Sequence, residues 1–211
     1  QSSSLADGDI ISANNGLRLS INNNSGDAMF ARIIKAHEVL RNDFAIHRSS
    51  DGLRNIVIPQ GDYRFDEYLV GVEFGRQRKV TGRFSARGGE YYDGSRFQRG
   101  GNIDWRPTRQ YMFGLQYTES EIHLPAGNFT VRLVSLQSQI AFTSTFSWSN
   151  LIQYDNVSEV MGFNSRLHWI PEAGRQAFLV FNYGLIDQDK DNTFVSTNSD
   201  VSLKFNYTFR F

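Results

Sequence analysis

The stretch VSLKFNYTFRF, from Val201 to Phe211, alternates without a break between two kinds of side chain. One face is apolar and mostly aromatic, formed by Val201, Leu203, Phe205, Tyr207, Phe209 and Phe211. The other face is polar and carries two cations, formed by Ser202, Lys204, Asn206, Thr208 and Arg210. Successive side chains of a strand point to opposite sides of a sheet. The stretch therefore predicts a membrane β-strand with lipid on one side and water on the other.

This strand resembles the C-terminal assembly signal of bacterial outer-membrane β-barrels. In those proteins the barrel-assembly machinery reads a terminal aromatic strand. The resemblance assigns that role here to Phe205, Tyr207, Phe209 and Phe211. It implies that the chain lies in the outer membrane of a Gram-negative bacterium, in contact with outer-membrane lipid and lipopolysaccharide.

The composition excludes a membrane protein made of helices. Hydrophobic residues make up only 40% of the chain, aromatic residues reach 14%, and the net charge is +0. No window approaches the roughly 18 apolar residues that a spanning helix needs. Because every backbone polar group in lipid needs a partner, a spanning chain without such helices must form a closed barrel. Cysteine is absent, which excludes disulfides and thiolate sites, and no basic excess indicates a nucleic-acid partner.

Alternating segments separated by turn residues continue towards the N-terminus. We predict strands near 16–23, 29–36, 66–75, 79–89, 96–106, 110–122, 129–141, 145–154, 158–170, 176–187 and 200–211. Residues 66–211 thus hold regular antiparallel barrel strands. Residues 1–65 hold N-terminal strands and an extracellular excursion over 37–65. The segment FARIIKAHEVL in this region also has helical spacing, so a helix start is open there.

The predicted fold class is an all-β, antiparallel transmembrane β-barrel with about 10–12 strands in this chain. The count above is odd, although bacterial single-chain barrels usually have even counts. Three explanations are open: a strand within residues 1–14, a miscounted strand, or a chain that is the C-terminal piece of a larger barrel. The opening QSSSLADGDI lacks a charged-then-apolar leader, so a secretion signal has been removed or the start lies inside a longer precursor. A soluble β-sandwich is the remaining alternative.

If the aromatic faces contact lipid, the polar faces point into the barrel. The predicted lumen-facing residues are Arg83, Arg87, Arg166, His168, Lys204 and Arg210. An Arg or Lys turned to lipid at mid-depth would cost about 2–4 kcal/mol. These cations favour an anion-attracting pore. The alternative is a narrow barrel filled by side chains, in which Glu67, Glu73 and Asp104 pair with the cations.

Other motifs are less specific. A candidate extracellular contact for a sugar or a partner protein is the loop of Glu90, Tyr91, Tyr92 and Asp93, with an interfacial aromatic girdle as the alternative. The histidines at positions 37, 47, 123 and 168 show no metal-ligand spacing, so we expect no metal and no cofactor. We expect no enzymatic activity, and the open alternative is a hydrolase site at the outer rim built from Asp155, His123 and Ser158.

The run from Ile56 to Gly184 resembles the C-terminal barrel of a family of uncharacterised bacterial outer-membrane proteins. Its most specific pieces are a Leu-Pro-x-Gly-Asn/Asp-Phe loop at Leu124–Phe129, a Gln-Tyr-Asp-Asn turn at Gln153–Asn156 and an Asn-x-Arg-x-x-Trp strand at Asn164–Trp169. Members often carry, ahead of the barrel, a domain like the family-nine carbohydrate-binding modules. Such a module is not expected within these 211 residues, so carbohydrate binding does not follow from the resemblance.

Three functions are open from the sequence. The first is a pore or transport conduit, or the membrane-embedded part of a larger surface assembly that includes other subunits or the N-terminal part of a longer precursor. The second is a plugged structural barrel that anchors a surface complex through His37–Phe65 and Asp187–Ser199. The third is the rim-site hydrolase.

Overall fold

The computed structural model describes residues 2–6, 9–48, 55–187 and 193–208, with only the backbone described up to residue 11. Regular structure in these residues consists of fourteen β-strands. They are β1 Ser2–Ala6, β2 Asp9–Asn22, β3 Ala28–Leu40, β4 Phe44–Arg48, β5 Asn55–Ile58, β6 Gly61–Glu73, β7 Val80–Tyr91, β8 Gly94–Trp105, β9 Tyr111–Leu124, β10 Gly127–Ala141, β11 Phe146–Asp155, β12 Val160–Glu172, β13 Arg175–Ile186 and β14 Val195–Tyr207. Within the described ranges, no helix is long and apolar enough to cross a membrane.

Twelve of the strands form one sheet, in the order β1-β2-β3-β6-β7-β8-β9-β10-β11-β12-β13-β14. The remaining two, β4 and β5, form a hairpin of their own. Consequently β3 pairs directly with β6, in a register that runs from Ala28 opposite Glu73 to Leu40 opposite Gly61. The all-β antiparallel fold class is confirmed, and twelve strands fall within the predicted range.

The structure confirms the first of the three explanations for the odd strand count, a strand within residues 1–14. A strand at Ser2–Ala6 pairs with β2, with an irregularity in register between Ser4 and Leu5, and makes the number of sheet strands even. The signal for this strand is weak, because only five residues pair and four of them are small.

The segment FARIIKAHEVL forms part of β3, so the helical alternative is wrong. Its side chains alternate as in a strand: Phe30, Ile34 and Ala36 are buried, whereas Met29 and Ile33 on the opposite face are exposed. The backbone of β3 is paired on both sides, with β2 and with β6. Tertiary pairing therefore overrides the local helical spacing.

Three strands begin five or more residues earlier than predicted, and β2 is one of them, with its start at Asp9. β6 starts at Gly61. β14 runs from Val195 to Tyr207, and its early start pairs with the end of β13, where Val195 lies opposite Ile186. The start of β14 was assigned to the preceding loop because its first residues, VSTNSD, are mostly polar. Phe209, Arg210 and Phe211, which belong to the predicted terminal strand, lie outside the described residues.

The chain divides into two compact units. The first unit consists of residues 1–75, 82–101 and 118–132, and the second of residues 76–81, 102–117 and 133–211.

The strands of the first unit have two contrasting faces. Its apolar face is solvent-accessible in the isolated chain, with 41–78% exposure at Leu17, Leu19, Ile21, Met29, Ile33, Tyr68, Val70, Phe84 and Phe97. Its polar face lies on the other side of the same strands, and the register aligns Arg18 with Arg32, Arg32 with Leu69, and Leu69 with Arg87. Large contiguous apolar surfaces of this kind are unusual on soluble monomers and mark contact with lipid or protein.

The second unit repeats this division into two faces. Exposed apolar residues share one side of its strands, namely Leu136, Ile152, Trp169, Leu179, Phe181, Val201, Leu203 and Phe205. The opposite side carries a row of directly opposed polar residues, in which Asn164 donates to Asn182 and Asn182 donates to Asp200 at 3.4 Å. Polar and apolar side chains are thus segregated strand by strand.

Candidate functional site

A buried carboxylate lies at the centre of the polar face of the first unit. Glu67 on β6 has 0% side-chain exposure and contacts two arginines, Arg87 on the adjacent strand β7 and Arg96 on β8, the next strand after β7. The Arg96 side chain donates to Glu67 Oε1 from Nη2 at 2.6 Å and from Nε at 2.9 Å, and Arg87 donates to Glu67 Oε2. Because a buried charge is tolerated only when it is paired and hydrogen-bonded, these two arginines make the position of Glu67 possible.

Aromatic side chains cover one side of this ion-pair cluster. The guanidinium of Arg96 lies 4.1 Å from the centre of the Tyr91 ring. Tyr91 in turn makes edge contacts with Tyr92 and with Phe65, which is two residues before Glu67 on the same face of β6. The Tyr92 hydroxyl donates to Glu38 Oε2 at 2.5 Å. The rings thus shield the ion pairs from water, which strengthens the electrostatic attraction within them.

The β4–β5 hairpin packs over the same aromatic residues. Ile56 and Ile58 of the hairpin form a buried cluster with Ile122 and Leu124, and partly buried residues surround it: Leu40, Ile46, Tyr63, Tyr91, Tyr92 and Phe129. The ring of His47 stacks on Phe129 at 4.5 Å. The excursion predicted over 37–65 is therefore shorter than expected, because residues 37–40 belong to β3 and residues 61–65 to β6, and its described hairpin packs on the polar face of the first unit.

Tyr92 offers a stability prediction in the turn between β7 and β8, outside the sheet strands. Burial, and then its hydrogen bond to Glu38, raise the pKa of Tyr92 above the ordinary value of 10.0. A raised pKa in the folded state contributes stability that is fully present below pH 10.0 and falls as the unfolded chain ionises at higher pH. We expect Tyr92→Phe to cost about 1–2 kcal/mol at pH 8, with the difference from wild type shrinking above pH 10.

The measurement is urea unfolding of the detergent-solubilised protein between pH 8 and pH 11. The control is Tyr68→Phe, which removes a hydroxyl from the exposed apolar face and is expected to leave stability at pH 8 unchanged. A constant difference between Tyr92→Phe and wild type across this range would contradict the role given to the Tyr92 proton.

A second cluster on this polar face is built around Phe30. The ring is 5% exposed and lies over Gly71, where a Cβ atom would collide with it. Arg18 and Arg83 place their guanidinium groups 5.0 Å and 4.7 Å from the ring centre. Arg83 also lies 3.9 Å from Glu73. The absence of a side chain at Gly71 thus leaves space for the Phe30 ring, which lies between two cations.

A charged ladder on the apolar face of the first unit was missed by the sequence reasoning. Glu119 on β9 pairs with Arg99 on β8 and, at 2.7 Å, with Arg132 on β10, while Arg99 also lies 3.6 Å from Glu121. Phe97 is exposed on the same side of β8 as Arg99. The sequence did contain a signal for this ladder. The apolar residues at every second position of β9 end at Tyr117, and the next two positions on the same face are Glu119 and Glu121.

The predicted lumen-facing residues fall in both units. Arg83 and Arg87 lie on the polar face of the first unit, where Glu73 and Glu67 are their partners. In the second unit, His168 stacks on Phe178 at 4.3 Å, Arg166 lies 6.0 Å from the same ring, and Lys204 is the register partner of Phe178. Arg210 lies outside the described residues. Whether these side chains line a lumen stays a prediction.

The remaining predicted sites are distributed as follows. The predicted contact loop is only partly a loop, because Glu90 and Tyr91 end β7 and only Tyr92 and Asp93 form the turn. Glu90 and Asp93 are exposed, while Tyr91 and Tyr92 are half-buried against the hairpin. Phe205 and Tyr207 of the predicted assembly signal are exposed, and Phe209 and Phe211 lie outside the described residues.

The structure places the candidate hydrolase residues in separate units. His123 belongs to the first unit, and Asp155 and Ser158 to the second. Over the described ranges, no group of three or more His, Cys, Asp or Glu side chains is arranged to hold a metal ion.

Comparison with known proteins adds little to this picture. No family model and no curated protein matches the chain. A solved structure of the NanC porin in a rhombohedral crystal form is similar at 12% identity and a TM-score of 0.38, over 94% of this chain and 99% of that one.

Proposed function

We propose that this chain is an outer-membrane β-barrel that conducts small solutes, with its polar faces turned to a water-filled passage and without enzymatic activity of its own. The observation that carries the proposal is the segregation of side chains in each unit. Large apolar residues are exposed on one face of the strands, which in the first unit also carries the paired charges of Arg99, Glu119 and Arg132, and further arginines, glutamates and asparagines share the other face. Lipid on the apolar side and water on the polar side account for both exposures.

The β4–β5 hairpin supports a narrowed passage. Its buried residues Ile56 and Ile58 attach it to the polar face of the first unit, where a conduit would hold its water. The second candidate function follows from the same observation: a barrel that the hairpin plugs, and that anchors a surface complex. In both proposals the partners are outer-membrane lipid, lipopolysaccharide and the barrel-assembly machinery, with other subunits or the N-terminal part of a longer precursor in a larger assembly.

A single substitution in the hairpin tests the conduit against the plug. Ile58 is 1% exposed, so Ile58→Asp introduces a charge into the cluster that holds the hairpin and is expected to release it. In planar lipid bilayers we expect measurable conductance from the wild type and a conductance about twofold larger from Ile58→Asp, because a released hairpin widens the narrowest section.

The matched control is Phe44→Asp. Phe44 is the register partner of Ile58 within the hairpin but remains 46% exposed, so the same charge is expected to leave the hairpin in place and the conductance unchanged. A wild type that does not conduct and an Ile58→Asp variant that does would favour the plugged barrel. Absence of conductance from both, in protein that migrates as folded on an unheated gel, would overturn the conduit.

A further inference from the structure

Arg18 and Arg32 form an unusual pair on the polar face of the first unit. They are directly opposite one another in the register of β2 and β3, so their side chains leave the sheet on the same side. Both are exposed. Among the residues that the structure describes, neither has an ion-pair partner. Like charges directly opposite on neighbouring strands destabilise a sheet, so this arrangement requires a compensating benefit.

An aromatic ring positions one cation of the pair. Arg18 lies over one ring, that of Phe30, which Arg83 approaches as well. The nearby carboxylates are engaged elsewhere, because Glu67 contacts Arg87 and Arg96, and Glu73 lies 3.9 Å from Arg83. The polar face thus holds a positively charged site, in which no carboxylate among the described residues pairs with Arg18 or Arg32.

The geometry points to a binding site for the oxyanion group of a small solute, a carboxylate or a phosphate. Arg18 and Arg32 bind the oxygen atoms, and Arg83 supplies a third positive charge beside the Phe30 ring. The guanidinium fork matches the spacing of carboxylate and phosphate oxygens and donates two hydrogen bonds to either group. This inference rests on the proposed function, since in a conduit the site would select anionic solutes.

Binding is measured on the full chain in detergent by isothermal titration calorimetry, with inorganic phosphate in one arm and acetate in the other, each in a constant chloride background. We expect the Arg18→Gln, Arg32→Gln double variant to bind about tenfold more weakly than wild type, because two charge-assisted contacts are lost. If the double variant loses affinity for only one of the two anions, that anion shows whether the site prefers a phosphate or a carboxylate.

The matched control is Lys35→Gln, which removes one cation from β3 on the face opposite Arg32 and leaves the anion affinity unchanged. If the double variant does not fold, Arg18→Lys with Arg32→Lys keeps the charge, removes the planar fork and is expected to bind several-fold more weakly. The proposal is overturned if neither anion binds to wild type, or if the double variant binds as tightly as wild type.

The same proteins in planar bilayers separate the two proposals. Arginine-dependent binding without conductance would leave the oxyanion site standing and overturn the conduit. Conductance without arginine-dependent binding would overturn the site alone.

Discussion

Replacing Glu67 by glutamine is expected to lower the free energy of unfolding by about 3 kcal/mol. The substitution keeps the shape of the side chain but leaves Arg87 and Arg96 facing each other without the carboxylate that holds both. Removing one partner from a buried ion pair leaves an uncompensated charge, which typically costs about 3–5 kcal/mol. We expect the lower end of that range because Arg87 is 31% exposed, so water stabilises part of its charge.

The matched control for this prediction is Glu73→Gln on the same strand and face. Glu73 is 36% exposed and lies 3.9 Å from Arg83, so we expect a loss below about 1 kcal/mol, as for ion pairs that water reaches. Urea titration of both variants in detergent, followed by the heat-dependent shift on a gel, gives the two values. Equal losses for the two variants would show that the burial of Glu67 does not govern its contribution.

Leu19→Lys is expected to destabilise the protein in a lipid bilayer by about 2–4 kcal/mol. Leu19 is 65% exposed on the apolar face, between Leu17 and Ile21 on β2. If lipid covers this face, a lysine there must leave the hydrocarbon or draw water into it. On a water-exposed surface, the same substitution would change stability by no more than about 0.5 kcal/mol. Unfolding is measured in vesicles of defined lipid.

Ser20→Lys is the control, because it places the same charge one residue further along β2 on the polar face. The difference between the Leu19 and Ser20 variants isolates the effect of the face from that of the added charge. Indistinguishable stabilities in vesicles would contradict a lipid-facing side at Leu19, and with it the membrane orientation of the first unit.

Most of the sheet follows from the sequence, because apolar and polar residues alternate along each strand and so mark its two faces. The segment around Ile33 and Ile34 was ambiguous, since its spacing suits a helix and a strand alike, and only pairing with β2 and β6 decides between them. The β4–β5 hairpin was not predicted. Its strands of five and four residues are too short for a periodic signal, and its position depends on Ile122 and Leu124, which are distant in sequence.

The candidate site was predictable in kind but not in detail. Alternation alone assigns Arg83 and Arg87 to a polar face. The complete burial of Glu67 depends on the register that aligns β6 with β7 and on Arg96 from the next strand, which no local pattern reveals. For the same reason the ladder of Arg99, Glu119 and Arg132 was missed, because its charges compensate one another only after three strands are brought together.

The seat of Phe30 over Gly71 has an evolutionary consequence. A Cβ atom at residue 71 would occupy the space of the ring, so neither position can change size alone without loss of packing. Related sequences that carry a larger residue at position 71 are expected to carry a smaller one at position 30. Such paired substitutions would record the β3–β6 register in an alignment of natural sequences, independently of any structure.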